Sequence, residues 1–323
     1  MIISNEHTSF GTDSDAERYL WLAYHIFVLL STLIGDTLIL YASLQKNALK
    51  VHAFIVTTMQ HIAVSDLAVV ILRILPRIIS LISNSWVLGD SLCSFSAYSN
   101  PVLFYAGTSF IAVLTSSKLM VLRYPIRAGN WNRKRAHMIC GIIWMFFLMY
   151  PACLYVISKN DVEFDYRIYS CRYITETWGT ITLVSTFVMI FSPFIIVICT
   201  TIPTLMYLER ARKSAKRVGG RAPSFIGAMT VSFTAIFYLI SISPLFVCYV
   251  WKHFVKTDTC QFHLYRVAIF LLSIYVMCNF YIYTVTIENF RRFIQIKFQS
   301  LLPVSLRTGR EQRNSSLGPP SPT

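Results

Sequence analysis

Seven stretches of this chain are apolar enough and long enough to cross a bilayer, and the charges between them are sorted by side. They run Leu20–Leu44, Ala53–Ser80, Leu92–Leu122, Ala136–Ser158, Trp178–Leu208, Ser224–Trp251 and Phe262–Ile287. A hydrocarbon core about 30 Å thick needs about 20 helical residues. Only a helix satisfies its own backbone over such a length in lipid. Composition agrees, with 55% hydrophobic residues against 14% charged. The expected fold is therefore an all-α membrane protein, a seven-helix bundle whose two ends lie on opposite sides. A chain of this kind acts by passing matter or information across a membrane.

Charge sets the expected orientation. The odd-numbered connections and the tail carry Lys46, Lys50, Arg123, Arg127, Arg133, Lys134, Arg135, Arg210, Arg212, Lys213, Lys216, Arg217, Arg221, Arg291, Arg292, Lys297, Arg307, Arg310 and Arg313. Acids on that side are only Glu209, Glu288 and Glu311, whereas Glu6, Asp13, Asp15, Glu17, Asp90, Asp161, Glu163, Asp165, Glu176 and Asp258 lie on the other. The positive-inside bias puts the N-terminus outside and the tail in the cytoplasm. This accounts for most of the +14 net charge without nucleic acid as a partner. The expected organisation is a short extracellular N-terminus over 1–19, the bundle over 20–287, an amphipathic helix over 288–302 and a disordered tail over 303–323. In the amphipathic segment, Phe290, Phe293, Ile294, Phe298 and Leu301 form one apolar face beside Arg291, Arg292 and Lys297, the pattern of a helix lying in the inner membrane interface.

The chemistry of an enzyme is missing from the sequence. There is no GxSxG, no HExxH and no phosphate-cradling glycine loop. The eight cysteines contain no CxxC, the seven histidines are scattered, and no cofactor or metal is expected. His61 reads as a packed residue. Cys140, Cys153, Cys199, Cys248 and Cys278 sit singly in apolar helices, while Cys93, Cys171 and Cys260 fall on the oxidising side.

Local patterns narrow the class. WVLGDSLC, Trp86 to Cys93, resembles the first extracellular loop of rhodopsin-like G-protein-coupled receptors, where Trp, Gly and then Cys open the third helix. Asp66 in SDLAV resembles the polar anchor of their second helix. Trp144, Pro193 and Pro244 stand like the Trp of the fourth helix and the Pro of the fifth and sixth. Asn279 and Tyr283 in NFYIY resemble the seventh-helix NPxxY, and ENFRRFIQIKF the short eighth helix. The resemblance covers roughly Leu20 to Phe298. It implies a plasma-membrane receptor with an extracellular ligand, a heterotrimeric G protein as the cytoplasmic partner, arrestin as a further one, and contact with membrane lipid. It also implies a disulfide between Cys93 and Cys171.

Departures from the family pattern are informative. Its helix-three spacing places the cytoplasmic triplet at Ser117-Lys118-Leu119, so the acid is gone and Lys118 replaces Arg. Lys lacks the planar fork of Arg. Asp36 stands for the usual Asn of helix one, Ile242 for the usual Trp of helix six, and Phe280 for the Pro of NPxxY. The expected switch residues are Lys118, Pro244, Asn279 and Tyr283. A seven-helix receptor that does not signal through G proteins is the alternative; a transporter or channel is less favoured, because no repeat relates the two halves.

Two polar groups stand out inside the spans, where ionisable residues are costly and usually functional. Asp36 and Asp66 lie at similar depth and are expected to form a network with Asn279. Arg73 and Arg77, spaced i, i+4, are expected to share one helix face and to wall a ligand pocket with Arg172 and Arg266, next to Asn100, Phe104 and Tyr105. Phe95, Tyr98, Tyr249, Trp251 and Tyr265 are further aromatic candidates. Asn100 stands where amine receptors carry Asp, and Ser273 where opsins carry Lys. A peptide, as in neuropeptide receptors, or an acidic small molecule is the expected ligand.

Overall fold

The computed structural model describes residues 15–45, 49, 51–158, 162–166, 168–173, 179–217, 226–254 and 261–301. The expectations for residues 1–14 and 303–323, and for Lys46, Lys50, Asp161, Glu176, Arg221, Ser224, Asp258 and Cys260, lie outside them.

Apolar length makes the helices. The first span is α1 (Asp15–Leu44), which starts five residues before the stretch read from hydropathy. The second is α2 (Ala53–Val69), a π turn over Val70–Ile74, and α3 (Leu75–Ser83). The third is α4 (Asp90–Arg123), followed by the short α5 (Pro125–Ala128). The fourth, fifth, sixth and seventh are α6 (Arg133–Ser158), α7 (Gly179–Arg217), α8 (Ile226–Phe254) and α9 (Gln261–Thr286). The amphipathic α10 (Glu288–Leu301) follows directly. Together they form a seven-helix membrane bundle. Among the described residues, α1, α4, the Val188–Ser214 part of α7, Met229–Cys248 of α8 and Arg266–Thr286 of α9 are each long and apolar enough to cross a membrane. The remaining spans are α6 and the divided α2–α3.

Among the described residues the larger core cluster draws on every span, with Phe54, Phe110, Leu114, Tyr238, Ile242, Tyr283 and Phe290 wholly or almost wholly enclosed. Apolar residues such as Ile34, Met145, Phe146, Phe237 and Val285 instead point outward, as a lipid-facing surface requires. Phe280 leaves α9 unbroken where a proline would have kinked it. Its ring lies so close to α1 that a Cβ added to Gly35 would stand 2.5 Å from the Phe280 Cβ. Glycine at position 35 is what allows the two helices to approach.

Two features shape the outer end. Asn84, in the left-handed region at φ 53°, terminates α3. The loop to α4 then turns at Gly89, whose φ of 81° suits glycine, and Trp86 Nε1 donates to its carbonyl at 2.8 Å. The second feature is an antiparallel hairpin, β1 (Val162–Asp165) and β2 (Ser170–Tyr173), with Phe164 opposite Cys171. Cys171 is disulfide-bonded to Cys93 in the first turn of α4, with 5.4 Å between their Cα atoms. The bond lies under Trp86, Val162 and Phe164, next to Ala97.

Candidate functional site

The hairpin roofs a small recess, of about 20 Å³, between the outer ends of α1, α3 and α9. Trp21 and His25 line it from α1, Arg77 and Leu81 from α3, Ile168 and Tyr169 from the hairpin, and Arg266 and Ile269 from α9. Two guanidinium groups therefore border one small space, and no carboxylate is among those eight side chains.

Helix one arranges them. Its 3.6-residue period stacks His25 one turn beyond Trp21, with the rings 5.4 Å apart and nearly parallel. His25 Nδ1 lies 2.8 Å from the Trp21 carbonyl. A carbonyl only accepts, so Nδ1 carries the proton and Nε2 has a free lone pair. Arg77 Nη1 donates to that lone pair at 3.3 Å. On the other side, the Arg266 guanidinium sits over the Trp21 ring at 5.9 Å, a cation–π contact. Tyr24 joins α1 to α9 by donating to the Phe270 carbonyl at 2.7 Å. The recess thus holds Arg77 against a neutral acceptor and Arg266 against an aromatic face. A guanidinium group is suited to carboxylate or phosphate oxygens.

Several expected pocket residues are elsewhere. Arg73 belongs to the π turn, where bonds run i to i+5 and the register slips by a residue. Arg77 is 3% exposed and lines the recess, whereas Arg73 is not among the lining residues. Arg172 pairs within its own hairpin, to Glu163 at 2.9 Å and Asp165 at 3.0 Å. Tyr105 turns toward α6, with its ring 5.8 Å from Phe147 and 6.4 Å from Tyr150, and Phe104 packs on Tyr105. Asn100, on the same helix, is also not part of the lining, and its Oδ1 is buried without a partner among the described residues. Tyr98 donates to the Leu148 carbonyl at 2.6 Å, and Phe95 is exposed. The side chains of Tyr249, Trp251 and Tyr265 are outside the described ones. Of the seven ligand-binding candidates, Arg77 and Arg266 share the recess.

Trp21 and His25 escaped the sequence reading. Their signal was present: a His one turn after a Trp, in an otherwise apolar helix, at the height of Arg77.

A second polar site occupies the middle of the bundle. Asn279 Nδ2 donates to Asp66 Oδ2 at 2.7 Å, joining α9 to α2. Asp36 is 1% exposed, and neither of its carboxylate oxygens has a hydrogen-bond partner among the described residues. Ser65 Oγ, Asn279 Oδ1 and the Tyr275 and Tyr283 hydroxyls are buried and unmatched in the same sense. Groups of this kind are commonly satisfied by internal water.

At the inner end, Lys118 is half-buried in α4, five residues before the helix stops. Ser117 beside it donates to the Leu114 carbonyl at 2.8 Å. Among the described residues no carboxylate forms an ion pair with Lys118. Between α8 and α9, Thr230 Oγ1 donates to Thr286 Oγ1 at 2.8 Å.

A stapled hairpin over seven helices, a cationic recess beneath it and an Asp–Asn bond across the bundle define a class of membrane receptor. Residues 35–283 match the model of the seven-transmembrane receptors of the rhodopsin family, and the chain belongs to that family. Its members are receptors, not enzymes. The human uracil nucleotide/cysteinyl leukotriene receptor is 21% identical over 230 residues, covering 70% of this chain and 61% of that protein. The pig cysteinyl leukotriene receptor 2 is 25% identical over 324 residues, covering 96% and 88%. The human cysteinyl leukotriene receptor 1 is 24% identical over 259 residues, covering 78% and 75%. The chain thus spans about three fifths of the length of the first of these. The family and the apolar helices make it a multi-pass plasma-membrane protein.

Proposed function

We propose that this chain is a receptor that binds an acidic small molecule at its outer face and passes the signal to a heterotrimeric G protein. Arg77 and Arg266, brought from separate helices to one recess, carry the reading. The relatives are named for cysteinyl leukotrienes and uracil nucleotides, both of which are anions, and that agrees with the charge of the recess. The ligand's anionic group lies between the two guanidinium groups, and Leu81, Ile168 and Ile269 cover its apolar part. The N-terminus faces outward, as the charge bias requires. Ligand binding favours the bundle state that opens toward the cytoplasm. There Lys118, Tyr283 and α10 meet the G protein, arrestin is a second partner, and α10 lies in the inner lipid interface.

The test is G-protein activation in cells expressing the full chain, against cysteinyl leukotrienes, uracil nucleotides and acidic peptides. A response to an acidic compound that is lost in Arg266→Ala at normal surface expression supports the proposal. A response that survives both Arg266→Ala and Arg77→Ala removes the recess from recognition. Lys118 in place of Arg favours a second reading, a receptor that recruits arrestin without a G protein. Recruitment by the same ligand with no G-protein response would select it.

A further inference from the structure

His61 of α2, His137 of α6 and Trp144 of α6 form a chain of ring nitrogens on the side of the bundle away from the recess. Trp144 Nε1 is 3.3 Å from His61 Nδ1, and His61 Nε2 is 3.1 Å from His137 Nδ1. The two imidazole centroids lie 5.3 Å apart.

Indole N–H can only donate. His61 Nδ1 must therefore be the acceptor, and the His61 proton sits on Nε2. That N–H in turn donates to His137 Nδ1, so the His137 proton is on Nε2, the outer nitrogen of an exposed side chain. One donor thus fixes both tautomers, and every bond in the chain runs from Trp144 toward the surface. Neither ring can take a second proton and keep the chain. A proton on His137 Nδ1 would face the N–H of His61. If His61 turned its own proton to Nδ1 to accept it, that proton would face the N–H of Trp144.

We infer that His61, His137 and Trp144 form an acid-sensitive clasp between the second and fourth spans, closed while both imidazoles are neutral and opened by a single proton. It does not rest on the proposed ligand or on G-protein coupling. The surroundings act in the same direction. From α4 the ring against His61 is Phe110, centroid to centroid 5.7 Å, which is uncharged. On α6, Arg133 and Lys134 stand one turn before His137, and Cys140 is buried one turn after it. On α2 the nearest carboxylate in sequence, Asp66, is engaged by Asn279 of α9 in the middle of the bundle. No described carboxylate is in place to hold a protonated His137. A shared metal ion is excluded by the same logic. Metal on His61 Nε2 would move the proton to Nδ1 and into the Trp144 N–H.

The closed clasp stabilises the receptor while both rings are neutral, and that contribution is lost on acidification, once either ring gains a second proton. The test is thermal unfolding of the purified full chain in lipid nanodiscs at about pH 8 and about pH 5.5. His137→Gln keeps an acceptor for His61 but does not titrate. Its unfolding temperature should match wild type at the higher pH and fall by about 2 °C less on acidification. Trp144→Phe frees His61 Nδ1, so the pair can share a proton. Its loss on acidification should also shrink, even though its stability at pH 8 is lower. Equal acid losses in wild type and His137→Gln overturn the clasp. Should Trp144→Phe not fold, 15N spectra of the histidine rings in wild type decide its part. An unprotonated Nδ1 on His61 at pH 8 supports the assignment, and the opposite tautomer overturns it.

Discussion

The outer and middle polar sites of this bundle are built on opposite terms. At the outer end, two cations border one recess, Arg77 donating to the lone pair of His25 and Arg266 lying over the face of Trp21. In the middle, two acids lie among neutral groups, Asp66 bonded by Asn279 and Asp36 without a hydrogen-bond partner. The outer site opens beneath a hairpin and can exchange its contents with the outside. The middle one is enclosed between α1, α2 and α9. Two cations gathered at one recess suit a ligand of opposite sign. Charge enclosed without one acts on the bundle itself, through its stability and the balance of its states.

The sharpest way to break the comparison is to remove a cation. Arg77→Ala should lower the potency of an acidic agonist by roughly thirty-fold or more, since breaking a buried charge pair costs about 2–5 kcal/mol. Surface expression should change little. A dose–response curve with unaltered potency would place the ligand elsewhere. Cys93→Ser acts on the roof of the same recess. Loss of a disulfide commonly costs about 2–5 kcal/mol, so surface expression measured with an N-terminal tag should fall severalfold. Normal expression with full agonist response would show that the hairpin holds its place without the bond.

The middle of the bundle should respond with stability. Gly35→Ala puts a methyl group 2.5 Å from the Phe280 Cβ. Overpacking of this kind costs about 1–3 kcal/mol, and the unfolding temperature should drop accordingly. Since the clash involves Cβ itself, only Phe280→Gly in the same chain would remove it fully; rescue by that second change is the check on the contact. Asp36→Asn should move the other way, raising the unfolding temperature, because it removes a buried carboxyl that cannot ionise without cost and has no hydrogen-bond partner among the described residues. A lower unfolding temperature in Asp36→Asn would mean that the carboxylate is engaged by water or an ion as a charge.

These two sites were unequally legible in the sequence. Helix register sets the middle one. Asp36, Asp66 and Asn279 are at comparable depth in three apolar spans, so hydropathy and spacing suffice to group them, and the Asn279–Asp66 bond follows that grouping. The outer site depends on two departures from regular structure that no periodicity reports. The π turn over Val70–Ile74 carries Arg73, which is not among the recess lining. The short hairpin gives Arg172 two acids of its own and carries Ile168 and Tyr169 over the recess. Trp21 and His25 were hidden for another reason. In an apolar helix both read as packing, and His25 acquires a role only when Arg77 is 3.3 Å from its Nε2.

The smallest expected effect lies at the inner end, where neither pattern holds. Lys118 has no carboxylate partner among the described residues, so no ion pair restrains the resting state there. A hydroxyl pair, Thr230 to Thr286 at 2.8 Å, joins α8 to α9 instead. A neutral bond of that kind contributes about 1 kcal/mol, which makes the resting state easy to leave. Lysine also offers a docking partner fewer directed bonds than arginine would. Lys118→Arg should therefore raise agonist-driven G-protein activation by a few-fold at saturating ligand, while the ligand's affinity stays unchanged. The affinity term separates the two ends of the molecule, because the substitution lies at the far side of the membrane from the recess. Changed affinity with unchanged maximal activation would show that Lys118 acts on the resting bundle and not at the G-protein surface.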